Sequence, residues 1–322
     1  MAAILWKGYL MIRSVFIGSS AYGLPALETL CKHGMQPQLV VSQPDKPAGR
    51  NLKTVPTPIS NYAQEHGLSV FTPENINTPY SINKIASAQP QILVTAAYGG
   101  IIGKELRFLA EFKSINLHPS LLPLYRGASP IQSALLHGED ITGTSMYRLV
   151  AALDAGPILH QQSLAILPNE NYSSLHDRLA EQAAEMLLDF MKSLTIAYPP
   201  ESPQKHEQAS WCPKIDNSLC MLNWQQSAST VQNKIRAFSY SPGAWCYFRT
   251  NKLKILKAEL TDYAPDGLCG TISKIIKNTG FTVNCTDQQL LIKEVQAEGK
   301  KLMDAAAFAN GARLSAGEKL WM

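Results

Sequence analysis

The chain has 322 residues, which is too long for one small domain and suits two. Hydrophobic residues make up 45% of it and charged residues only 17%, so it can build a core and long disordered charged tails are excluded. The net charge of +4 is uneven, because residues 214–322 carry 14 Lys and Arg against 9 Asp and Glu. This basic region favours a polyanionic partner, with ordinary surface charge for solubility as the alternative.

Residues 1–10 are apolar, too short to cross a membrane, and carry no signal-peptide cleavage pattern. Because Met11 directly precedes the first strand pattern, we predict that residues 1–11 are an extension outside the fold. The six cysteines form no Cys-x-x-Cys pair, which predicts free thiols in a reducing compartment. These features predict a cytoplasmic protein without membrane association.

Strand and helix patterns alternate through the first 194 residues. Short β-branched and apolar runs predict strands at residues 14–17, 39–42, 68–71, 92–96, 114–117, 144–149 and 157–163. Helical spacing and helix-end signals predict helices at residues 25–35, 81–88, 130–137 and 173–194, and a short helix ending at residue 66. The segment from 43 to 58 reads as a loop because prolines recur in it.

This alternation predicts an α/β fold with a mostly parallel, doubly wound sheet. Ligands of such sheets bind beyond the carboxyl ends of the strands, which directs attention to the loops after Thr95, Leu117 and Leu149.

The pattern changes after residue 195. Residues 196–213 contain four prolines and no regular period, which predicts a linker. Beyond it, one helix at 231–238 is followed by short strands, which together predict a small antiparallel barrel. The strands fall at residues 244–249, 252–257, 270–276, 281–285 and 290–294. We therefore expect a catalytic domain at 12–195, a linker at 196–213 and a barrel domain at 214–322.

Three polar residues near the predicted strand ends suit acyl transfer to an amine. Asn116 and His118 are two apart on one strand, so they share a face, and Asp154 follows in a Gly-containing loop. His118 can relay the proton of the attacking amine, Asp154 can orient and stabilise that imidazole, and Asn116 can donate to an oxyanion. We expect neither a covalent intermediate nor a metal, since no nucleophile elbow or metal-ligand motif is present. The alternative is structural, with His118 capping a strand and Asp154 forming a turn.

A longer pattern carries a resemblance to a known family. The run Asn116 to Pro123, with Tyr125-Arg126-Gly127 and Leu153 to Leu159, resembles the signature of the folate-dependent formyltransferases. The resemblance implies a Rossmann-like domain with Asn116, His118 and Asp154 as catalytic residues, and 10-formyltetrahydrofolate as the formyl donor without a metal. It further implies that folate lies against two loops, at Ser120, Leu121, Leu122, Pro123, Tyr98, Gly99 and Ile101.

Four further segments resemble the members of the family that formylate methionine attached to initiator tRNA. The segment Gln43 to Arg50 resembles their tRNA loop, which implies contacts from Lys46, Arg50 and Lys53. Segments 222–224, 235–238 and 310–313 have counterparts in their OB-like C-terminal barrel, which lies along the acceptor stem. Initiator methionyl-tRNA and folate are therefore the expected partners of a monomeric enzyme.

The chain departs from the family pattern at three places, which are the loop Gly18 to Gly23, Leu52 in the tRNA loop and an additional Gly100. Three other functions are compatible with the same motif. The acceptor could be an amino sugar nucleotide, water could replace the amine so that formate is released, or the chain could be a non-catalytic RNA-binding protein. A dinucleotide oxidoreductase is disfavoured because no Gly-x-Gly-x-x-Gly fingerprint follows the first strand.

Overall fold

The structure, a computed structural model, describes residues 5–6, 9–10, 12–48, 53–194, 198 and 200–321, with backbone only at 5–6, 9–10, 47–48 and 53. Its strands are β1 Leu5–Trp6, β2 Tyr9–Leu10, β3 Ser14–Gly18, β4 Leu39–Val41, β5 Lys46–Ala48, β6 Lys53–Val55, β7 Val70–Phe71, β8 Ile92–Ala96, β9 Ser114–His118, β10 Arg126–Gly127, β11 Ile141–Arg148, β12 Ile158–Ala165, β13 Trp211–Cys212, β14 Ala244–Phe248, β15 Asn251–Leu260, β16 Ile272–Ile276, β17 Gly280–Asn284, β18 Gln289–Ala297, β19 Met303–Asp304 and β20 Leu320–Trp321.

Its α-helices are α1 Leu24–Lys32, α2 Pro58–Glu65, α3 Pro79–Ala86, α4 Lys104–Arg107, α5 Pro130–His137, α6 Tyr172–Ser193, α7 Ala228–Phe238 and α8 Ala305–Gly311. Proline stands at the first or second position of α1, α2, α3 and α5, where its missing N–H costs no helical hydrogen bond.

The described residues form two compact units. Unit 1 holds the residues up to Gly127, Ile141–Ala165 and His176–Trp211, and unit 2 holds Ala128–Asp140, Ile166–Leu175 and the residues from Cys212 onward. The contacts thus group the predicted linker as far as Trp211 with unit 1, and its last two residues together with two segments of the predicted catalytic domain with unit 2. The sequence boundaries at 195 and 213 stay a prediction, because chain order cannot reveal which unit a segment packs in.

Unit 1 is built on a seven-stranded sheet in the order β12-β11-β9-β8-β3-β4-β7. The five strands from β9 to β7 are parallel, and β11 and β12 are antiparallel additions at one edge. Every residue of β3 and β8 is buried, which explains why these strands read as continuous apolar runs. The predicted mostly parallel α/β sheet is confirmed.

The apolar core of unit 1 on one side of the sheet joins strand residues to the helices that cover them. Its members are Val15, Ile17, Leu39, Val41, Ile76, Ile85, Leu93, Tyr98, Ile102, Leu106 and Ala110. The sheet is therefore packed tightly just below the strand ends that carry the polar side chains.

The segment read from sequence as a loop, residues 43–58, contains a small antiparallel sheet. Strands β5 and β6 pair there, with Lys46 opposite Val55 and Ala48 opposite Lys53. The loop interpretation was wrong for these residues because a proline is tolerated in a strand of a two-stranded sheet, where one edge needs no N–H donor. The predicted extension at residues 1–11 lies largely outside the described residues, which show there only that β1 pairs with β2.

Unit 2 contains a seven-stranded antiparallel sheet, in which six strands follow the order β16-β17-β18-β15-β14-β20 and β19 pairs with β18. Its two ends are joined by backbone hydrogen bonds of 2.8 Å, from Leu320 N to Gly270 O and from Ile272 N to Glu318 O. The sheet therefore curls into a small barrel, as predicted. Helix α7 packs on β15 and α8 packs on β17 and β18. Helix α8 was missed because its seven residues are too short to show a helical period.

Candidate active site

Three neighbouring strands of unit 1 place three polar side chains in one row. Asn116 on β9 is the register partner of Thr95 on β8 and of Tyr147 on β11. The Thr95 hydroxyl lies 2.7 Å from both Asn116 Oδ1 and the Ile115 carbonyl oxygen and shares its one hydrogen between these acceptors, and Asn116 Nδ2 donates to the Tyr147 hydroxyl oxygen at 3.1 Å. The amide of Asn116 is thus held on both sides by neighbouring strands.

The row continues into the turn after β11 through Asp154. The Tyr147 hydroxyl donates to Asp154 Oδ1 at 2.6 Å, and the backbone N–H of Gly127 donates to Asp154 Oδ2 at 2.7 Å. Asp154 has a left-handed backbone, with φ of 50°, and its side chain is only 9% exposed. Two donors fit an ionised carboxylate, which needs partners when it is buried.

His118 lies beside this row and is buried. Its Nε2 contacts the backbone carbonyl of Tyr125 at 3.0 Å, so that nitrogen carries a proton and neutral His118 presents an unprotonated Nδ1. Nδ1 lies 3.8 Å from Asp154 Oδ2, which is beyond hydrogen-bonding range. The structure therefore brings Asn116, His118 and Asp154 together, but the Tyr125 carbonyl orients the imidazole, where sequence reasoning assigned that task to Asp154.

The turn after His118 is held by side chains from the adjacent strands. The Ser145 hydroxyl donates to Ser120 O at 2.6 Å and accepts from Leu122 N at 3.0 Å, while Gln161 Nε2 donates to Leu122 O at 2.9 Å. The peptide bond from Leu122 to Pro123 is cis. Ser120 and Leu122 are buried, so of the four predicted folate contacts only Leu121 and Pro123 are partly exposed.

The second predicted folate loop follows β8. Tyr98 is buried in the core of unit 1, and this burial raises the pKa of its phenol above the ordinary value. Gly99 has a left-handed φ of 79°, which glycine adopts without strain. A Cβ at Gly100 would approach the Tyr98 ring to 2.9 Å, which accounts for the additional glycine. Ile101 is 83% exposed and is the side chain of this loop that can meet a ligand.

Two side chains that contact the candidate site were missed by sequence reasoning. Tyr147 gave no signal because a tyrosine within a predicted strand reads as core. Gln204 lies in the predicted linker, yet its Nε2 donates to Asp154 O at 2.9 Å and to Gly156 O at 2.7 Å. Its Oε1 accepts from Arg126 Nε at 3.1 Å, so one buried amide joins the Asp154 turn to β10. Only the buried environment of Gln204 identifies it, and composition cannot show that.

The predicted tRNA cations lie on or near the small sheet of β5 and β6. Lys46 is exposed on β5, Lys53 stands on β6 with only its backbone described, and Arg50 lies outside the described residues. Their contacts with tRNA stay a prediction.

The described residues contain neither a cluster of metal-binding side chains nor a membrane-spanning helix. No group of three His, Cys, Asp or Glu side chains in that part of the chain is placed to hold a metal ion. None of the described helices is both long and apolar enough to cross a membrane.

Comparison with known proteins links both parts of the chain to one family. A family model described as formyl transferase matches residues 13–191, and a model of the formyl transferase C-terminal domain matches residues 214–313. A methionyl-tRNA formyltransferase of Methylococcus capsulatus is 38% identical over 309 residues, which is 96% of this chain and 99% of the relative.

Solved structures share the fold at lower identity. HypX from Aquifex aeolicus, in complex with tetrahydrofolic acid, superposes with a TM-score of 0.65 at 15% identity, covering 96% of this chain and 49% of that one. An N-formyltransferase from Helicobacter canadensis, with folinic acid and dTDP-3-aminofucose, gives 0.64 at 18% identity, covering 89% of this chain and 100% of that one. The length and identity of the match to the curated relative place this chain in the methionyl-tRNA formyltransferase family.

Proposed function

We propose that this chain transfers the formyl group of 10-formyltetrahydrofolate to the amino group of methionine attached to initiator tRNA. The observation that carries the proposal is the row from Asn116 through Tyr147 to Asp154, beside the unprotonated Nδ1 of His118. A donor, a base and a carboxylate in one place suit acyl transfer to an amine. The high identity to methionyl-tRNA formyltransferases supports the choice of acceptor.

The donor set of the site fits a formyl group. One hydrogen of Asn116 Nδ2 goes to Tyr147, so the second is left for a carbonyl oxygen of the ligand. Folate would lie against the loops that carry Leu121, Pro123 and Ile101, which offer partly or fully exposed apolar surface. When bound, 10-formyltetrahydrofolate supplies the one-carbon unit, and a nucleophilic side chain is not needed because the amine attacks directly.

The mechanism assigns one task to each side chain. Asn116 donates to the formyl oxygen as that oxygen gains negative charge, and such a donor contributes roughly 10²–10³ in turnover. His118 would accept the proton of the amine at Nδ1, while the Tyr125 carbonyl holds Nε2, and would return that proton to N10 of tetrahydrofolate as the bond from N10 to the formyl carbon breaks. Asp154 Oδ2, at 3.8 Å from Nδ1, stabilises the imidazolium that results.

One face of the barrel supports an RNA partner. Trp245 and Tyr247 alternate on β14 with buried residues, and their rings meet edge to face at 5.4 Å. Lys252 Nζ lies 3.9 Å from the centroid of the Trp245 ring, and Lys319 Nζ lies 4.2 Å from that of Trp321. Trp321 is exposed and Trp245 is half-buried, so these rings and the ammonium groups beside them offer stacking and phosphate contacts, which are means of binding RNA.

The remaining expectations belong to the same proposal. Lys46, Arg50 and Lys53 would contact the tRNA, and the domains would divide at residues 195 and 213. The enzyme would act as a monomer in the cytoplasm, with no metal.

The test is formyl transfer from 10-formyltetrahydrofolate to methionine charged on initiator tRNA, with free methionine and methionyl elongator tRNA as acceptor controls. Selective transfer supports the proposal. Formate release without an acceptor would indicate a hydrolase, and transfer to an amino sugar nucleotide would indicate the other acceptor class. Binding of tRNA without any turnover would indicate an RNA-binding protein.

Variants of the same enzyme test the site itself. Asp154→Asn removes the charge and keeps the shape, so we expect it to fold and to lose most of its turnover. Asp177→Asn is the matched control, since that aspartate lies on α6 with its side chain 75% exposed. Equal activity of the two variants would remove Asp154 from the mechanism.

A further inference from the structure

Tyr147 occupies a central place among the polar side chains of the site. Its ring is buried on β11, with 1% of the residue exposed, and its hydroxyl contacts both Asn116 and Asp154. It is the only phenol in this row, and its position between an amide and a carboxylate makes the direction of each hydrogen bond informative.

The hydrogen-bond directions in the row follow from the charge on Asp154. An ionised carboxylate only accepts, so the single Tyr147 hydrogen points to Asp154 Oδ1. The hydroxyl oxygen then has only lone pairs for Asn116, which must turn its Nδ2 toward Tyr147 and its Oδ1 toward Thr95. Burial, and after it the Asp154 charge, raises the pKa of Tyr147 well above the ordinary value, so the phenol keeps its hydrogen at neutral pH.

We propose that Tyr147 is a positioning residue that couples the ionisation of Asp154 to the orientation of the Asn116 amide. The proposal rests on the proposed function, since the amide matters only if it meets the formyl oxygen. When Asp154 is ionised, the Tyr147 hydroxyl holds Asn116 with one Nδ2 hydrogen directed to the ligand. When Asp154 is protonated, it can donate to the phenol, and the hydroxyl hydrogen is free to turn toward Asn116.

When Asp154 is protonated, the hydroxyl hydrogen of Tyr147 and a hydrogen of Asn116 Nδ2 point toward each other. Two opposed donors repel, so the amide loses its preferred orientation and the formyl oxygen loses its donor. The groups that face Asp154 are His118 from β9, Tyr147 from β11 and the Gly127 N–H from β10, with the Arg126 guanidinium acting on Tyr147 through space.

The first test is kinetic and uses Tyr147→Phe, which removes one oxygen atom and keeps the ring. We expect kcat to fall roughly tenfold to a hundredfold, with the KM values for folate and charged tRNA within about threefold of wild type. Tyr22→Phe is the matched control, because Tyr22 is also buried in unit 1, at 4% exposed, and we expect it to keep wild-type kcat. A kcat for Tyr147→Phe within twofold of wild type would overturn the proposal.

A double-mutant cycle separates positioning from general support of the fold. If Tyr147 acts through Asp154, then Tyr147→Phe costs little further turnover in a chain that already carries Asp154→Asn. Equal factors in both backgrounds would show that Tyr147 acts without Asp154 and would contradict the coupling.

The closing experiment needs no substrate. Carboxyl-labelled aspartate, observed by NMR from pH 3 to 8, gives the titration midpoint of Asp154, with the resonance assigned from Asp154→Asn. Loss of the phenol hydrogen bond should raise that midpoint by about one unit in Tyr147→Phe, since the bond favours the charged form, and Tyr22→Phe should leave it unchanged. An unchanged midpoint in Tyr147→Phe would refute the coupling. Failure of the wild-type enzyme to formylate methionyl-tRNA would refute the proposed function, and the midpoint would still decide the link between Tyr147 and Asp154.

Discussion

The side-chain amide of Gln204 should stabilise unit 1 through several hydrogen bonds. It is 7% exposed, its Nε2 donates to the carbonyls of Asp154 and Gly156, and its Oε1 accepts from Arg126. Gln204→Ala therefore leaves two buried carbonyls without this donor and one guanidinium without this acceptor. At about 1 kcal/mol for each neutral bond and about 2 kcal/mol for a charged one, the free energy of unfolding should fall by about 4 kcal/mol.

The assay is thermal unfolding followed by calorimetry, together with steady-state formyl transfer. A loss of that size corresponds to a fall in Tm of about 8–16 °C. Turnover should fall as well, because the Asp154 turn is held in a left-handed conformation by these bonds. Gln208→Ala is the matched control, since Gln208 is exposed in the same segment and should leave both values unchanged.

A second substitution separates the contribution of Gln204 as an acceptor from its contribution as a donor. Gln204→Glu keeps an acceptor for Arg126 and loses the donor to the Asp154 turn, so it should retain part of the stability and lose the turnover. A Gln204→Ala variant that unfolds within 1 °C of wild type with full turnover would refute the reasoning.

Three further predictions concern the turn, the barrel and the thiols. Gly143→Ala should lower stability by about 1–3 kcal/mol and raise the folate KM, because its Cβ would clash with the Gln162 backbone oxygen and lie 2.6 Å from Leu121 Cδ2; unchanged Tm and KM would contradict these contacts. Lys252→Glu should raise the KM for charged tRNA, more strongly at low salt, while Lys277→Glu on an exposed turn should not; equal KM values would exclude the aromatic face as the tRNA surface. Burial raises the pKa of the Cys285 thiol from 9.0 to about 12. The neutral thiol therefore makes its full contribution to the free energy of unfolding below pH 9, and that contribution is lost as the pH rises from 9 toward 12. The fall in Tm above pH 9 should therefore be smaller in Cys285→Ala than in wild type, and equal falls would contradict this assignment.

The parallel sheet could be predicted because its strands are buried on both faces. Such strands leave runs like Val15 to Ile17 and Ile92 to Val94, which need no tertiary information to recognise. The sheet of β5 and β6 was missed because its strands have three residues each and one contains a proline, which favours a loop by composition.

The sequence predicted the candidate site only for residues that lie close together on one strand. Asn116 and His118 share a face by the two-residue repeat of a strand, so the sequence alone could pair them. Tyr147 enters the site through its register with Asn116, and Gln204 reaches Asp154 from 50 residues away. Register and long-range packing depend on the whole fold, and no local pattern expresses them.

The segment between the two matched family regions limits how the parts of this enzyme can be exchanged. The first match ends at residue 191 and the second begins at residue 214, so a hybrid of two relatives would naturally be joined between them. Yet Gln204 and Ser210, which both lie in that interval, bond to the Asp154 turn and to Tyr125. In a hybrid that takes this segment from another parent, the side chains of that other parent would have to make the hydrogen bonds that hold the active site. Recombination between relatives should therefore succeed when the crossover falls after residue 210, and it should yield folded but slow enzymes when the crossover falls before residue 200.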